Sequence, residues 1–277
     1  MRARMDWRTM RVDGRPASYG VAGDGPLVVF LHGWGLSHRT YRHGLELLVG
    51  HGVRVLAPAL PGFAGTASLP EDALTLQGYA EWVAAFLEEY GVDEPVTLIG
   101  HSFGGGVALH AAHLRPDLVG RLVLVNSIGG SVWSNRGELP VPMADRPMWD
   151  WGLHIAAHAL SVRSFTRVMP VIAADAVPNF VLHPTTLWKV GRLARDANLA
   201  AELEELKERG LPVVIVWGRD DTVIPWACAE SLAVALGKSE VVTVPGNHSW
   251  LLADPTRFAE VITNVIGIEG DEETQAS

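Results

Sequence analysis

Gly100-His101-Ser102-Phe103-Gly104 fits the pattern G-x-S-x-G, and its surroundings say more than the match itself. It follows a short apolar run (VTLI) and opens a small-residue stretch (GGGVALHAAH). Ser102 is therefore expected on a tight strand-to-helix turn that pushes its hydroxyl into the open. Glycines at 100, 104 and 105 let backbones pass where a Cβ would clash. The helix N-terminus behind the serine presents unpaired N–H groups and the positive end of a dipole, which suit a developing oxyanion. At neutral pH a serine hydroxyl is a poor nucleophile, so it needs a base, and the base needs an orienting carboxylate. Gly246-Asn247-His248 offers the base just past the last apolar run, where strand ends deliver functional groups in an open α/β sheet. Trp217-Gly218-Arg219-Asp220-Asp221 offers the acid after the run before it. Two adjacent aspartates leave a choice: Asp221, which starts Asp-Thr-Val-Ile-Pro, is the expected acid, and Asp220 a turn or capping residue. Asn126 and Ser127, one strand earlier, supply no carboxylate. His32-Gly33-Trp34-Gly35 forms a glycine-rich turn whose Trp34 N–H would pair with that of Phe103 as oxyanion donors. His32 itself reads as structural. The chemistry such a set supports is attack of a serine on a carbonyl.

The elements that must carry these residues follow from composition and periodicity. The chain has 277 residues, 48% hydrophobic and 19% charged, which gives ample material for one large globular domain or a domain with an insertion. Its net charge of −9 disfavours phosphate backbones, so no nucleic-acid partner is expected. One cysteine, Cys228, excludes an internal disulfide and a thiolate zinc site. The arginine-rich start lacks the apolar stretch of a secretory signal, and no run has the roughly 18 apolar residues of a membrane span. The expected compartment is the cytoplasm.

Short apolar runs alternate with helix-length stretches, the mark of a parallel sheet with crossover helices. Strands are expected at Leu27–His32, Val53–Leu60, Val96–Gly100, Arg121–Ser127, Pro212–Gly218 and Glu240–Gly246, with an N-terminal antiparallel hairpin turning at Asp13-Gly14. Helices are expected at Leu76–Tyr90, Phe103–Arg115, Trp226–Leu236 and Pro255–Ile266. Between 131 and 209 the alternation stops, and proline-punctuated helical pieces rich in Trp, Met and His take over. This segment reads as a helical cap inserted after the sixth strand, within a core of 1–130 and 210–268. Residues 269–277 read as a flexible acidic tail.

HGWG, PGFAGT, GHSFGG, GRDDTVIP and GNH stand in the order and spacing of the α/β-hydrolase superfamily, which this chain resembles from about Leu27 to Ile266. The resemblance implies Ser102 as nucleophile, His248 as base, Asp221 as acid, Trp34 and Phe103 as oxyanion donors, a cap at 131–209, and ester hydrolysis without a cofactor. A serine nucleophile argues against the dehalogenases and epoxide hydrolases of this fold, which use aspartate. The chain is similar to pimeloyl-carrier methyl ester esterases, although His101 stands where those carry a tryptophan. It departs from the HGGGPG and GNS signatures of carbon–carbon bond hydrolases, which makes that chemistry the alternative. Haloperoxidase-type chemistry on the same triad and a ligand-sensing receptor are further readings. The expected activity is that of a serine hydrolase on a small, mainly apolar ester, in a monomer or homodimer.

Other residues invite bland readings. His154 and His158 have helical i,i+4 spacing, but no HExxH glutamate accompanies them and no third ligand is evident, so no metal is expected. His110 and His113 are expected to pack or face solvent, Cys228 to be a small buried side chain, and Glu202–Glu208 to be a solvated helix face. Trp133, Trp149, Trp151, Phe165, Met169, Phe180 and Trp188 divide between the core of the cap and an apolar substrate pocket.

Overall fold

The computed structural model describes residues 3–130, 132–133, 141–147, 150, 154, 169–182, 184–237 and 240–267. β1 (Asp6–Val12) and β2 (Arg15–Ala22) form the expected hairpin. Asp13 and Gly14 both hold positive φ, 50° and 72°, as a two-residue primed turn requires. The remaining strands of the main sheet are β3 (Leu27–Leu31), β4 (Arg54–Pro58), β5 (Val96–His101), β6 (Val119–Val125), β9 (Val213–Gly218) and β10 (Glu240–Val244). Together they form an eight-stranded sheet in the order β1-β2-β4-β3-β5-β6-β9-β10. The first two strands are antiparallel and the rest parallel.

Helices cover both faces, which is why the parallel strands are mainly apolar rather than alternating. On one face lie α2 (Leu76–Tyr90), α3 (Phe103–Leu114), α6 (Ala200–Glu208) and α7 (Trp226–Ala235), packed over Leu98, Leu122 and Ile215. On the other lie α1 (Arg42–Val49), the short α8 (Trp250–Ala253) and α9 (Pro255–Ile266), packed over Phe30, Ile99 and Val216. The sequence marks α2 and α9 clearly because each has a stop and a start. Thr75 Oγ1 accepts the Gly78 N–H and Asp254 accepts the Arg257 N–H, both at 3.0 Å. Gly91 and Gly267 close the two helices in the left-handed conformation. α1 lacks those signals. It has eight residues, no side-chain cap, and a 3-10 turn (His38–Tyr41) leading into it.

Between β6 and β9 the chain leaves the sheet. The described parts are β7 (Val132–Trp133) paired with β8 (Val141–Pro142), α4 (Met169–Leu182) and α5 (Pro184–Arg195). The sequence suggests neither short strand. In the last helix of the expected cap, α6, Leu203 and Leu206 are buried and the helix packs against α3 and α7. Of the acidic run on α6, Glu202 and Glu205 face His110 and His113 of α3, each at 3.2 Å. Cys228 is buried in α7. Residues 269–277 lie outside the described residues. Among the described residues, no helix is long and apolar enough to cross a membrane.

Three fully buried histidines make the fold acid-sensitive. Burial pushes His32 down to about 4 and His38 down to about 3, and it holds His101 well below the usual histidine range. These rings stay neutral in the fold and take up protons when it opens, so the unfolded chain binds more protons below pH 6.5. Their contribution to stability is complete above that pH and is lost as the pH falls toward the folded values. Each ring sets a limiting slope of about 1.4 kcal/mol per pH unit. Urea denaturation should therefore show stability falling by about 3–4 kcal/mol between pH 6 and pH 5. A flat profile across that interval would contradict the neutral, buried assignment.

Candidate active site

Every residue singled out for chemistry sits just beyond the carboxyl end of a parallel strand, where this sheet type exposes its functional groups. Trp34 follows β3, Ser102 follows β5, Asp221 follows β9 and His248 follows β10. Ser102 has φ 55° and ψ −119°, a left-handed conformation that a residue with a Cβ adopts only under constraint. Its neighbours make that turn possible. A Cβ on Gly100 would stand 2.4 Å from the Gly104 oxygen, and one on Gly104 would stand 2.5 Å from the Leu31 oxygen. Any larger residue would force the elbow apart. The Ser102 N–H also donates to the Val125 oxygen at 3.0 Å, which carries the β5–β6 ladder into the turn.

Ser102 Oγ lies 3.1 Å from His248 Nε2, and His248 Nδ1 lies 2.7 Å from Asp221 Oδ2. The Asp221 side chain is fully buried against His248, whereas Asp220 is an exposed turn residue. Asp221 Oδ1 accepts the N–H groups of Val223 and Ile224 at 2.8 and 2.9 Å, which fixes the carboxylate plane. The Asp-Thr-Val-Ile segment therefore folds back over its own first side chain. The base loop is tied to the same place, since the Asp220 N–H donates to the Gly246 oxygen at 2.9 Å.

Three further residues hold this relay, and sequence reasoning missed their roles. Asn126, at the end of β6, donates through Nδ2 to Asp221 Oδ2 at 2.5 Å. Its Oδ1 accepts from Trp250 Nε1 at 2.8 Å and from the Gly218 N–H at 3.3 Å. The signal was position: Asn126 occupies the strand end considered above only as a failed source of a carboxylate. His101 is buried beside the serine. Its Nε2–H donates to the His248 carbonyl at 3.1 Å, and its Nδ1 accepts from the Tyr41 hydroxyl at 2.9 Å. Tyr41 in turn accepts the Gly33 N–H at 3.2 Å. Desolvation, with the neighbouring His248 adding to it, keeps His101 neutral, so it serves as a strut between the Gly33 turn and the backbone of His248. Arg146 is buried behind the acid loop, where it donates to the carbonyls of Thr222 (2.8 Å) and Val223 and pairs with Asp150 at 2.6 Å.

His32 is structural. Its Nε2 accepts the Leu60 N–H at 2.9 Å, which joins the turn after β3 to the segment after β4. Phe103 opens α3, where a backbone N–H has no intrahelical acceptor, and Gly33 packs against Ser102 Cβ.

The sequence pattern of a known family matches residues 28–261. The chain belongs to the alpha/beta hydrolase family. Among its relatives, a pimeloyl-(acyl-carrier protein) methyl ester esterase of Aromatoleum aromaticum is 30% identical, over 87% of this chain and 98% of that protein. A 2-hydroxy-6-oxo-6-(2'-aminophenyl)hexa-2,4-dienoic acid hydrolase of Metapseudomonas resinovorans is 25% identical, over 95% of this chain and 92% of that protein. The crystal structure of a bacterial membrane phospholipase A superposes with a TM-score of 0.77 at 20% identity, covering 95% of this chain and 86% of that one. That last likeness concerns the fold alone.

The pocket aromatics named from sequence fare differently from the relay of this alpha/beta hydrolase. Trp149, Trp151 and Phe165 lie outside the described residues, as does His158. Trp133 lies on β7, and Met169 and Phe180 lie on α4. Trp188 lies on α5 and is 58% exposed. His154 faces Asp150 at 3.4 Å. Among the described residues, no group of three or more His, Cys, Asp or Glu is arranged to hold a metal ion.

The Asn126–Asp221 contact makes a specific expectation. Asn126→Asp sets a second carboxylate at hydrogen-bond distance from Asp221, and two such groups cannot both ionise, so one holds its proton above the ordinary range. A carboxyl raised in the fold costs stability as the pH climbs from about 4 toward its raised value. The variant should therefore lose more stability against the parent at pH 8 than at pH 5 in paired urea melts. An equal loss at both pH values would mean that the two side chains do not share a site.

Proposed function

We propose that this protein is a serine hydrolase that cleaves a small, mainly apolar carboxylic ester through an acyl-enzyme on Ser102. The observation carrying this reading is the continuous Ser102–His248–Asp221 relay set on a strained elbow. In the proposed cycle His248 Nε2 takes the Ser102 proton as Oγ attacks the ester carbonyl. The N–H groups of Trp34 and Phe103 receive the negative charge that develops on the carbonyl oxygen. Asp221, held by three donors, keeps the imidazole in the tautomer with its proton on Nδ1 and stabilises the imidazolium once Nε2 is protonated. His248 then returns the proton to the leaving alcohol, and a water activated by the same ring releases the acid and restores Ser102. This cycle uses no cofactor.

In this reading residues 131–209 act as the cap over the substrate, with their apolar side chains shaping the acyl pocket. The protein acts in the cytoplasm on a small molecule, as a monomer or homodimer. The similarity to the esterase of Aromatoleum aromaticum supports an ester substrate. The similarity to the hexadienoic acid hydrolase supports a second reading, carbon–carbon bond cleavage of a vinylogous diketone on the same serine.

A chain-length series of p-nitrophenyl esters from acetate to palmitate, run beside Ser102→Ala, separates these outcomes. Release with an optimum at short or medium chains, abolished in Ser102→Ala, is expected for the esterase. Slow ester release combined with Ser102-dependent bleaching of a dienone chromophore would favour the second reading. Full ester hydrolysis by Ser102→Ala would overturn both.

A further inference from the structure

The turn that carries Trp34 is gripped from outside the sheet by the helices of the inserted segment. Asp175, on α4, accepts three hydrogen bonds from the chain just after β3. Ser37 donates its backbone N–H to Oδ2 at 2.5 Å and its hydroxyl to Oδ1 at 2.8 Å, and the Thr40 hydroxyl also donates to Oδ2. One helical turn further along, on the same face of α4, Asn179 donates to the Gly35 carbonyl at 3.2 Å. From α5, the Leu187 carbonyl accepts Trp34 Nε1 at 2.8 Å. The contacts therefore fall on Trp34, Gly35, Ser37 and Thr40 in succession. From the sheet side the same turn is held by Tyr41, which accepts the Gly33 N–H.

This arrangement has a mechanical consequence. Gly35 has φ 76° and no side chain, so the turn has little stiffness of its own. The direction of the Trp34 N–H is then set by the anchors on either side. Asn179 is buried, Ser37 is fully buried and Asp175 is half-buried, so these bonds are partly shielded from bulk water, which strengthens hydrogen bonds to a carboxylate. Among the described side chains of α4 and α5, Asp175 holds the most of these anchors.

We propose that Asp175 is a positioning residue for the oxyanion site, fixing the Trp34 N–H toward Ser102 by clamping Ser37 and Thr40, so that the seating of α4 sets the rate of the chemical step. The inference rests on the reading of Trp34 as an oxyanion donor and extends it to the inserted segment. Loss of the clamp leaves Ser102, His248 and Asp221 in place and loosens only the turn.

The test compares the parent protein with Asp175→Asn, Ser37→Ala and the double variant, using a p-nitrophenyl ester for kcat and KM. An alkyl boronic acid, which binds serine as a tetrahedral anion, serves as a probe of the oxyanion site. Loss of a whole oxyanion donor costs about 10²–10³ in rate, and a displaced one costs less, so Asp175→Asn should lower kcat about 10- to 100-fold. KM should stay within about threefold, boronate affinity should weaken in proportion to kcat, and the pH midpoint of the rate should not move. Ser37→Ala should lower kcat in the same sense, and the double variant should be no worse than Asp175→Asn, because both changes remove the same contact. Parent-like kcat and boronate affinity in Asp175→Asn, with only a lowered Tm, would overturn the proposal and leave the Ser102 mechanism standing. If Asp175→Asn fails to fold, Ser37→Ala together with Thr40→Val carries the same comparison, and parent-like kinetics there would overturn it equally. If the parent neither binds the boronate nor hydrolyses esters in a Ser102-dependent way, it is the underlying oxyanion reading that fails.

Discussion

The left-handed backbone of Ser102 is the constraint on which the rest of the structure depends. A serine at φ 55° is strained by its own Cβ, and it persists only because the surrounding chain leaves no alternative. Gly100 and Gly104 bring β5, α3 and β3 to separations that no side chain would allow, and the Ser102 N–H is locked to Val125. The result is a hydroxyl presented above the sheet and in front of a helix N-terminus. The parallel sheet then brings the other groups to that hydroxyl, because neighbouring strands end at the same edge and their loops all open on the same side.

Placing groups at one edge does not by itself align them to a few tenths of an ångström. That alignment is the work of a buried polar network joining the loops pairwise. Asn126 joins the end of β6 to the acid, to Gly218 of β9 and to Trp250 of α8. His101 joins the elbow to the base loop and, through Tyr41, to the turn after β3. Arg146 ties the acid loop to Asp150, and Asp175 ties the turn after β3 to α4. Each member is neutral or paired, as burial demands. The acid sensitivity of the fold follows from burial, since desolvation keeps the rings of His32, His38 and His101 neutral.

The parallel part of the sheet was legible in the sequence because each of its strands is a mainly apolar run closed by Gly, Pro or Asn. The relay was legible because Ser102, Asp221 and His248 each follow such a run. What was not legible depends on tertiary pairing. Asn126 carries no pattern until Asp221 is known to lie beside it, and α1 has no capping signature. The pairing of Val132–Trp133 with Val141–Pro142 involves only two residues a side, too few to leave a periodicity. α6 is acidic outside and apolar inside like any surface helix, so nothing in its own sequence shows that it packs against α3. Asp175 and Asn179 sit in a stretch dominated by Val, Ala and Pro, and their importance lies entirely in what they meet across the turn after β3.

An activated serine should be separable from every other hydroxyl in the chain by its reactivity alone. The measurement is intact mass followed by peptide mapping after exposure to an alkyl fluorophosphonate, on the parent protein and on His248→Ala. A single adduct per chain, confined to Ser102 and formed at least about 10²-fold more slowly in His248→Ala, is the expected result. Absence of an adduct, labelling at another serine, or equal rates with and without His248 would contradict the activation of Ser102 by this relay.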